Sequence, residues 1–265
     1  MKIENCKSQI VLIVVAVVAA LVPGSLSAES GEPERSFHYA DARLGEKKDQ
    51  SDKFKFVRVQ LAPLYPGACL GDNPCEPWSH DYPEAGIHFS KIVSELSKLQ
   101  VVLDEDEYIF SFADPNLMKY PFAYMCEVGH MELSDAEIHG MREYLLRGGF
   151  LLVDDFGGRG EMATFQYFMK RAFPEFEMKR LDPSHPIFNC FFTIKSFDVR
   201  TYRARQGRPE YLGIEDKNGR LMMVINYNND VSDFWQWSDN AFNPIEDTNT
   251  AYKFGVNYVF YALTH

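Results

Sequence analysis

The chain has 265 residues, 46% hydrophobic and 25% charged, with a formal net charge of −11. That mixture fits one globular domain of good size and excludes a disordered or low-complexity chain. The acidic balance argues against a nucleic-acid partner, which needs a basic surface, and against attachment to anionic membrane surfaces.

Lys2 and Lys7 precede an unbroken apolar run of 13 residues, Ile10 to Val22, which Pro23 and Gly24 end; Ser25-Leu26-Ser27-Ala28 follows. This is the pattern of a secretory signal. The run is short for a membrane span, which needs about 20 residues. Residues 1–28 are therefore expected to be a signal peptide and the mature chain to be periplasmic or extracellular, with no stable membrane span. Leu26 is a poor residue three positions before the cut, which keeps an uncleaved N-terminal anchor as the alternative. Cys6 precedes the apolar run and is no lipoprotein cysteine. Without residues 1–28 the chain carries 25 basic and 37 acidic side chains, a balance of −12.

Residues 29–52 are polar and without period, as in a flexible tether. Residues 53–265 are expected to form a single domain. Phe54 to Leu61 alternates apolar and polar residues, which predicts a first strand that ends near Gln60. In the Pro- and Gly-rich loop that follows, Cys69 and Cys75 either pair as a disulfide in an oxidising compartment or stand as free thiols. At W-S-H-D-Y-P-E-A, residues 78–85, Pro83 suits the start of a helix and Asp81 its cap. Ile87, Ile92, Leu96 and Leu99 mark the buried side of that helix.

Val101 to Leu103 predicts a short second strand and Tyr120 to Val128 a third, within which Cys126 is a core residue. Ser134 and Glu137 form a capping box, Ile138, Met141 and Leu145 recur at helical spacing, and Gly148-Gly149 ends the helix. Phe150 to Val153 is a continuous apolar run, as expected of a strand covered on both faces. It ends in Asp154 and Asp155, then Gly157, Gly158, Arg159 and Gly160. A helix over 162–173, a fifth strand over 177–181, a rigid turn over 182–188, a late strand over 221–226, an aromatic cluster of Phe234, Trp235 and Trp237, and a final helix over 248–263 complete the chain. Strands alternating with helices predict an α/β fold with a mainly parallel sheet.

There is no G-x-S-x-G elbow, no G-x-x-x-x-G-K-[ST] loop and no H-E-x-x-H helix, and no C-x-x-C pair. No cofactor and no metal are expected from these patterns. What remains is a ring of polar residues at predicted strand ends: His80, Asp81, Glu127, His130, Asp154, Asp155, Arg159, His185, Asn226, Asn228 and Asp230. Paired acids beside a glycine loop can hold a divalent cation, and a carboxylate with a histidine can serve as orienter and base. Each residue also has a plain structural duty open to it: Asp154 as a cap, Asp155 paired with Arg159, the asparagines in turns. For the set, convergence at one sheet edge favours a ligand site.

Seven blocks carry a resemblance: F-K-F-V-R-V-Q at 54–60, W-S-H-D-Y-P-E-A at 78–85, Y-P-F-A-Y-M at 120–125, L-S-D-A-E at 133–137, Y-L-L-R-G-G-F-L-L-V-D-D-F at 144–156, D-P-S-H-P-I-F at 182–188 and N-Y-N at 226–228. Together they resemble the bacterial family of domain of unknown function 4159. That family is similar in turn to the class I glutamine amidotransferase-like superfamily. The resemblance implies a flavodoxin-like three-layer α/β/α sandwich and, from longer relatives with membrane segments, work at the cell envelope. True glutaminases carry a nucleophilic Cys after the strand equivalent to 150–153 and a His after a late strand. Here those places hold Asp155-Phe156 and Asn226 to Asn228, so glutaminase chemistry has no nucleophile. Three readings follow. The first is an exported domain binding a small molecule or an envelope protein. The second is an envelope or carbohydrate-directed hydrolase using His80 and Asp154 or Asp155, with His185 as a further candidate. The third is a structural component of an envelope complex.

Overall fold

A computed structural model describes residues 52–65, 76–103, 108–203, 206–240 and 242–265. The stretch expected to be a signal, nearly all of the expected tether, and Cys69 and Cys75 lie outside the described residues.

In chain order the elements are strands β1 (Val57–Val59) and β2 (Ala62–Pro63), helix α1 (Glu84–Leu96), strands β3 (Tyr108–Phe110), β4 (Phe122–Cys126) and β5 (Met131–Glu132), helix α2 (Asp135–Leu146), strand β6 (Phe150–Phe156), helix α3 (Gly158–Ala172), strands β7 (Met178–Arg180), β8 (Glu210–Glu215) and β9 (Leu221–Tyr227), and helices α4 (Ser232–Gln236) and α5 (Ile245–Thr264). The main sheet runs β3-β1-β4-β6-β9-β8-β7. Its first five strands are parallel to one another; β8 pairs antiparallel with β9, and β7 antiparallel with β8. Strands β2 and β5 pair in a separate two-stranded ribbon.

The sheet separates two apolar cores. Alternation along β4 and β6 sends Phe122, Tyr124, Phe150 and Leu152 into a core with Phe89 of α1, Trp235 of α4 and Tyr252 of α5. Ala123, Met125, Leu151 and Val153 enter the other core with Met141 of α2 and Phe165 of α3. Helices thus cover both faces, the arrangement that a parallel sheet requires. No helix among the described residues is long and apolar enough to cross a membrane.

The helix expected after Leu133 stands as α2, where the Ser134–Glu137 capping box is formed, and β6 starts at Phe150 as expected but runs past Val153 through both acids to Phe156. Four expectations are corrected. The first strand is shorter than its alternation: β1 spans Val57–Val59 only, and Lys55 and Arg58 are both buried, because β1 is an interior strand covered on both sides. Val101 makes only an isolated bridge to Phe54; the strand beside β1 is β3, seven residues later. The strand β8 had no clear period and was missed. Asp81 does not cap α1 with its side chain; only its carbonyl joins, accepting from the Ala85 N–H at 3.0 Å.

Close packing fixes the α2 position. Gly140 faces the 111–113 turn, and a Cβ built there would lie 1.9 Å from the Phe112 carbonyl oxygen. In an exposed helix Gly→Ala stabilises by about 1 kcal/mol. Here the backbone collision dominates, and Gly140→Ala is expected to destabilise by about 1–3 kcal/mol. Denaturant melts check the sign: a more stable variant contradicts this packing.

Candidate functional site

The carboxyl ends of β1, β4, β6 and β9 lie side by side at one edge of the sheet. Four non-glycine residues there adopt left-handed backbone: Asp81 (φ 61°), Glu127 (φ 50°), Asp155 (φ 53°) and Asn228 (φ 56°), and no other non-glycine residue among those described has positive φ. Each such residue costs about 1–2 kcal/mol unless local bonds offset it, and clusters of this strain mark functional sites. Asp155 owes its conformation to a bulge, where the register of β6 against β9 shifts between Val153 and Phe156. A bulge re-aims a side chain. Asp154 and Asp155, neighbours in sequence, consequently serve different surroundings.

Asp155 is the centre of the cluster. His80 Nδ1 lies 2.5 Å from its Oδ2. Arg203 donates from Nε at 2.8 Å and from a terminal nitrogen at 2.6 Å to its Oδ1. The same terminal nitrogen donates to Glu127 Oε1 at 2.6 Å and to the Asp155 carbonyl at 3.1 Å. Thr201 sets the height of this segment: its hydroxyl donates to the Asn228 carbonyl at 3.1 Å and accepts from the Arg203 N–H at 3.0 Å. The His80 backbone is held from beneath by Arg58, which donates to the Trp78 and His80 carbonyls at 3.0 and 2.8 Å. Arg58 also lies over the Tyr124 ring, 4.8 Å from its centroid.

Beneath the edge, Asp81 Oδ2 accepts from the Ser232 hydroxyl at 2.6 Å, and Ser232 accepts from Tyr124 at 2.7 Å. Asp81 Oδ1 and Glu127 Oε2 are buried and accept no hydrogen bond among the described residues. His80 Nδ1 stands 3.7 Å from Asp81 Oδ1 and 3.9 Å from Glu127 Oε1, so three carboxylates surround it. The His80 side chain keeps 22% exposure, and its Nε2 has no hydrogen-bond partner among the described residues.

The charges answer to this geometry. Burial alone would lower the His80 imidazolium, but the hydrogen bond and charge of Asp155, with Asp81 and Glu127, raise it to about 10. Burial would raise Asp155, but its bond to His80 and the charges of Arg203 and His80 hold it well below the carboxylate range. Glu127 rises to about 8 through burial and then the charge of Asp155. Asp81 rises to about 8 through burial, against the opposing charge of His80. At neutral pH the centre is thus an imidazolium–carboxylate–guanidinium row, flanked by carboxyl groups that hold their protons.

Of the residues expected from sequence, His80, Asp81, Glu127, His130, Asp155 and Asp230 meet at this edge. Asn228 forms its rim and caps α3, with Oδ1 accepting from the Gly158 N–H at 2.9 Å. Asp154 lies at the same edge but faces inward. Its carboxylate accepts from Asn226 Nδ2 at 2.9 Å and from the Val231 and Ser232 N–H groups at 2.9 and 3.1 Å, capping α4. Asn226 in turn accepts from the Tyr258 hydroxyl at 2.9 Å. Arg159 is exposed, and its expected pairing with Asp155 is taken by Arg203. His185 is a correction: it lies near Glu215 and Tyr261, by the start of β9 at the opposite edge, because the 182–188 turn packs there against α5. Sequence reasoning missed Arg203, Glu161 and the buried Arg58. Arg203 follows a stretch without helix or strand, and only the need of Asp155 for a cation pointed toward such a residue.

The chain belongs to the family described as domain of unknown function DUF4159, whose sequence model matches residues 56–263. No curated protein matches it.

Linkage gives the cluster a measurable pH dependence. His80 has a folded pKa above its ordinary 6.5, so its stabilisation is complete below 6.5 and is lost as pH rises through about 10. Asp81 and Glu127 hold protons in the fold up to about 8 that the unfolded chain releases near 3.8 and 4.5, so they also lower stability as pH rises. The melting temperature is therefore expected to fall from pH 6 to pH 10, and His80→Gln to flatten the decline above pH 7. A wild-type melting temperature constant or rising over that range contradicts the assigned charges.

Proposed function

We propose that the chain is an exported, non-glutaminase α/β domain that binds a polar ligand at the carboxyl edge of its sheet, with His80 as the group that meets it. The observation that carries this reading is the convergence of His80, Asp155, Arg203 and Glu127 at an edge where Asp81, Glu127, Asp155 and Asn228 are held in left-handed conformations. A structural ion pair requires neither four such backbones nor a histidine with one nitrogen fixed and the other unpartnered.

The strand order supports a flavodoxin-like reading. Numbered along the chain, the five parallel strands run 2-1-3-4-5 across the sheet. Such folds bind ligands where the order reverses, beyond the carboxyl ends of the first and third strands. His80 follows β1 and Glu127 follows β4, the two strands that flank that point. Kinship with the amidotransferase-like superfamily fits the same order, with Asp155-Phe156, which follows Asp154 at the end of β6 and includes the left-handed Asp155, in the place of a glutaminase's cysteine. Cys126 is no substitute: it is buried and its thiol is pushed well above its ordinary pKa by burial.

A protonated His80, oriented through Nδ1 by Asp155, presents an Nε2–H donor. The ligand it suits offers an acceptor oxygen, such as a carbonyl or a hydroxyl. The same arrangement favours a second reading, hydrolysis with His80 as general acid, since a carboxylate that fixes the imidazole is what such a role needs. Asp154 has no part in either reading, because its acceptor capacity serves α4 and Asn226.

A thermal-shift screen of the full chain with amino acids, sugars and nucleotides tests the binding reading. At least one compound is expected to raise the melting temperature of the wild type and of His185→Ala, and to lose that effect in His80→Ala. A screen without hits, or hits that persist in His80→Ala, overturns it.

Export is a separate proposal, resting on Lys2, Lys7, the apolar run and the small residues before Glu29. N-terminal sequencing of protein from fractionated cells is expected to begin near Glu29. Intact Met1 on cytosolic protein would refute it.

A further inference from the structure

Beside the His80–Asp155 pair lies a second cluster, Glu127, His130 and Glu161. From its geometry we infer that these three side chains form a binding site for one divalent transition-metal ion of the zinc or manganese class. The inference does not rest on the ligand reading of His80.

The two carboxylates are built alike. Each has one oxygen hydrogen-bonded to the fold and one that accepts no hydrogen bond among the described residues, although Glu161 Oε1 also stands 3.7 Å from an Arg203 terminal nitrogen. Glu127 Oε1 accepts from Arg203 at 2.6 Å, while its Oε2 is buried without a hydrogen bond. Glu161 Oε2 accepts from the Gly157 N–H at 2.6 Å, at the start of α3. The spare Glu161 Oε1 lies 3.9 Å from His130 Nε2, and the spare Glu127 Oε2 lies 3.8 Å from the same nitrogen. These separations are too long for hydrogen bonds, so the three atoms face one another without bonding. The side chain of Glu127 is only 9% exposed, whereas His130 is 33% and Glu161 21% exposed, which leaves the cluster an open side toward solvent.

An ion held about 2.0–2.2 Å from each ligand places those ligands roughly 3–3.5 Å apart. The three ligand atoms already lie within 4.8 Å of one another, and each carboxylate is anchored through its other oxygen, so an ion closes the gap by rotation of the side-chain ends. Nitrogen with two carboxylate oxygens suits zinc or manganese better than calcium or copper(I). Three protein ligands also leave coordination positions for water.

Gly129 gives an independent sign of design. A Cβ built there would lie 2.3 Å from Glu161 Cγ. The absence of a side chain at 129 is what allows Glu161 to cross the 127–130 turn and reach His130. The Glu127-x-x-His130 spacing sits on a 3-10 turn, Val128–His130, that the left-handed Glu127 precedes, so no helix period announces it.

The test is calorimetric titration of the chelator-treated full chain with Zn²⁺ and with Mn²⁺. One ion per chain is expected for at least one of them. His130→Ala and Glu161→Gln, both partly exposed positions, are each expected to weaken it at least tenfold, and Gly129→Ala to weaken it as well. His185→Ala, at the opposite edge, is expected to leave it unchanged. Metal-free melts confirm that each variant is folded, and His130→Gln replaces any His130→Ala that is not. Binding of neither ion, binding undiminished in His130→Ala and Glu161→Gln, or loss in His185→Ala overturns the inference. Failure here leaves the His80 screen untouched, since the two experiments vary different residues.

Discussion

A fully buried carboxylate at the end of an interior strand is the constraint on which this edge of the fold depends. Asp155 is 0% exposed. Taking such a charge out of water costs several kcal/mol unless partners replace the solvent. His80 and Arg203 replace it, one from the segment after β1 and the other from the segment before β8. Neither partner is near Asp155 in sequence, so the pairing draws two irregular segments onto the end of β6. Arg58 extends the same logic downward, since a buried guanidinium bonded to the Trp78 and His80 carbonyls fixes the backbone that presents the imidazole.

Asp154 meets the same physical problem in the opposite direction. Its acceptors are filled by Asn226 and by two N–H groups at the start of α4. A negative group at that place also complements the helix dipole, although α4 is too short for that to weigh much. One strand end therefore carries two acids with separate duties. Asp154 joins β6 to β9 and α4 within the fold, and Asp155 gathers the charged side chains at the surface. The bulge between Val153 and Phe156 makes the division possible, because strict alternation would have aimed Asp155 into the core that holds Val153.

Local patterns made the scaffold legible. The stretch from Leu133 to Phe156 declares a capped helix, a glycine stop and a buried strand through periods that need only neighbours within a few residues, and those elements stand where the sequence places them. The polar ring was legible in part, since strand ends in a parallel sheet share one edge. Long-range partners were not. Arg58 is fully buried, and nothing in FVRVQ announces that β1 is covered on both faces. His185 looked equivalent to His80 because both lie in polar turns containing proline. Only the packing of the 186–188 turn against α5 sends it to the other edge. Arg203 lies on no periodic element, so its role depends wholly on where Asp155 needs a cation.

The use of carboxylate oxygens separates structural acids from the others at this edge. Both oxygens of Asp154 are bonded within the fold, as expected of a group whose only task is to hold elements together. Asp81, Glu127 and Glu161 each tie one oxygen, to Ser232, Arg203 and the Gly157 N–H. Burying an acceptor without a partner costs about 1–3 kcal/mol, yet Asp81 Oδ1 and Glu127 Oε2 are left in that state. Left-handed backbone at Asp81 and Glu127 adds strain at the same two residues. An edge selected for stability alone would remove both penalties, with glycine at the backbone positions and amides or apolar groups in place of the spare acids. Their joint presence around His80 and His130 is the physical reason to regard this edge as a place where the protein meets something else.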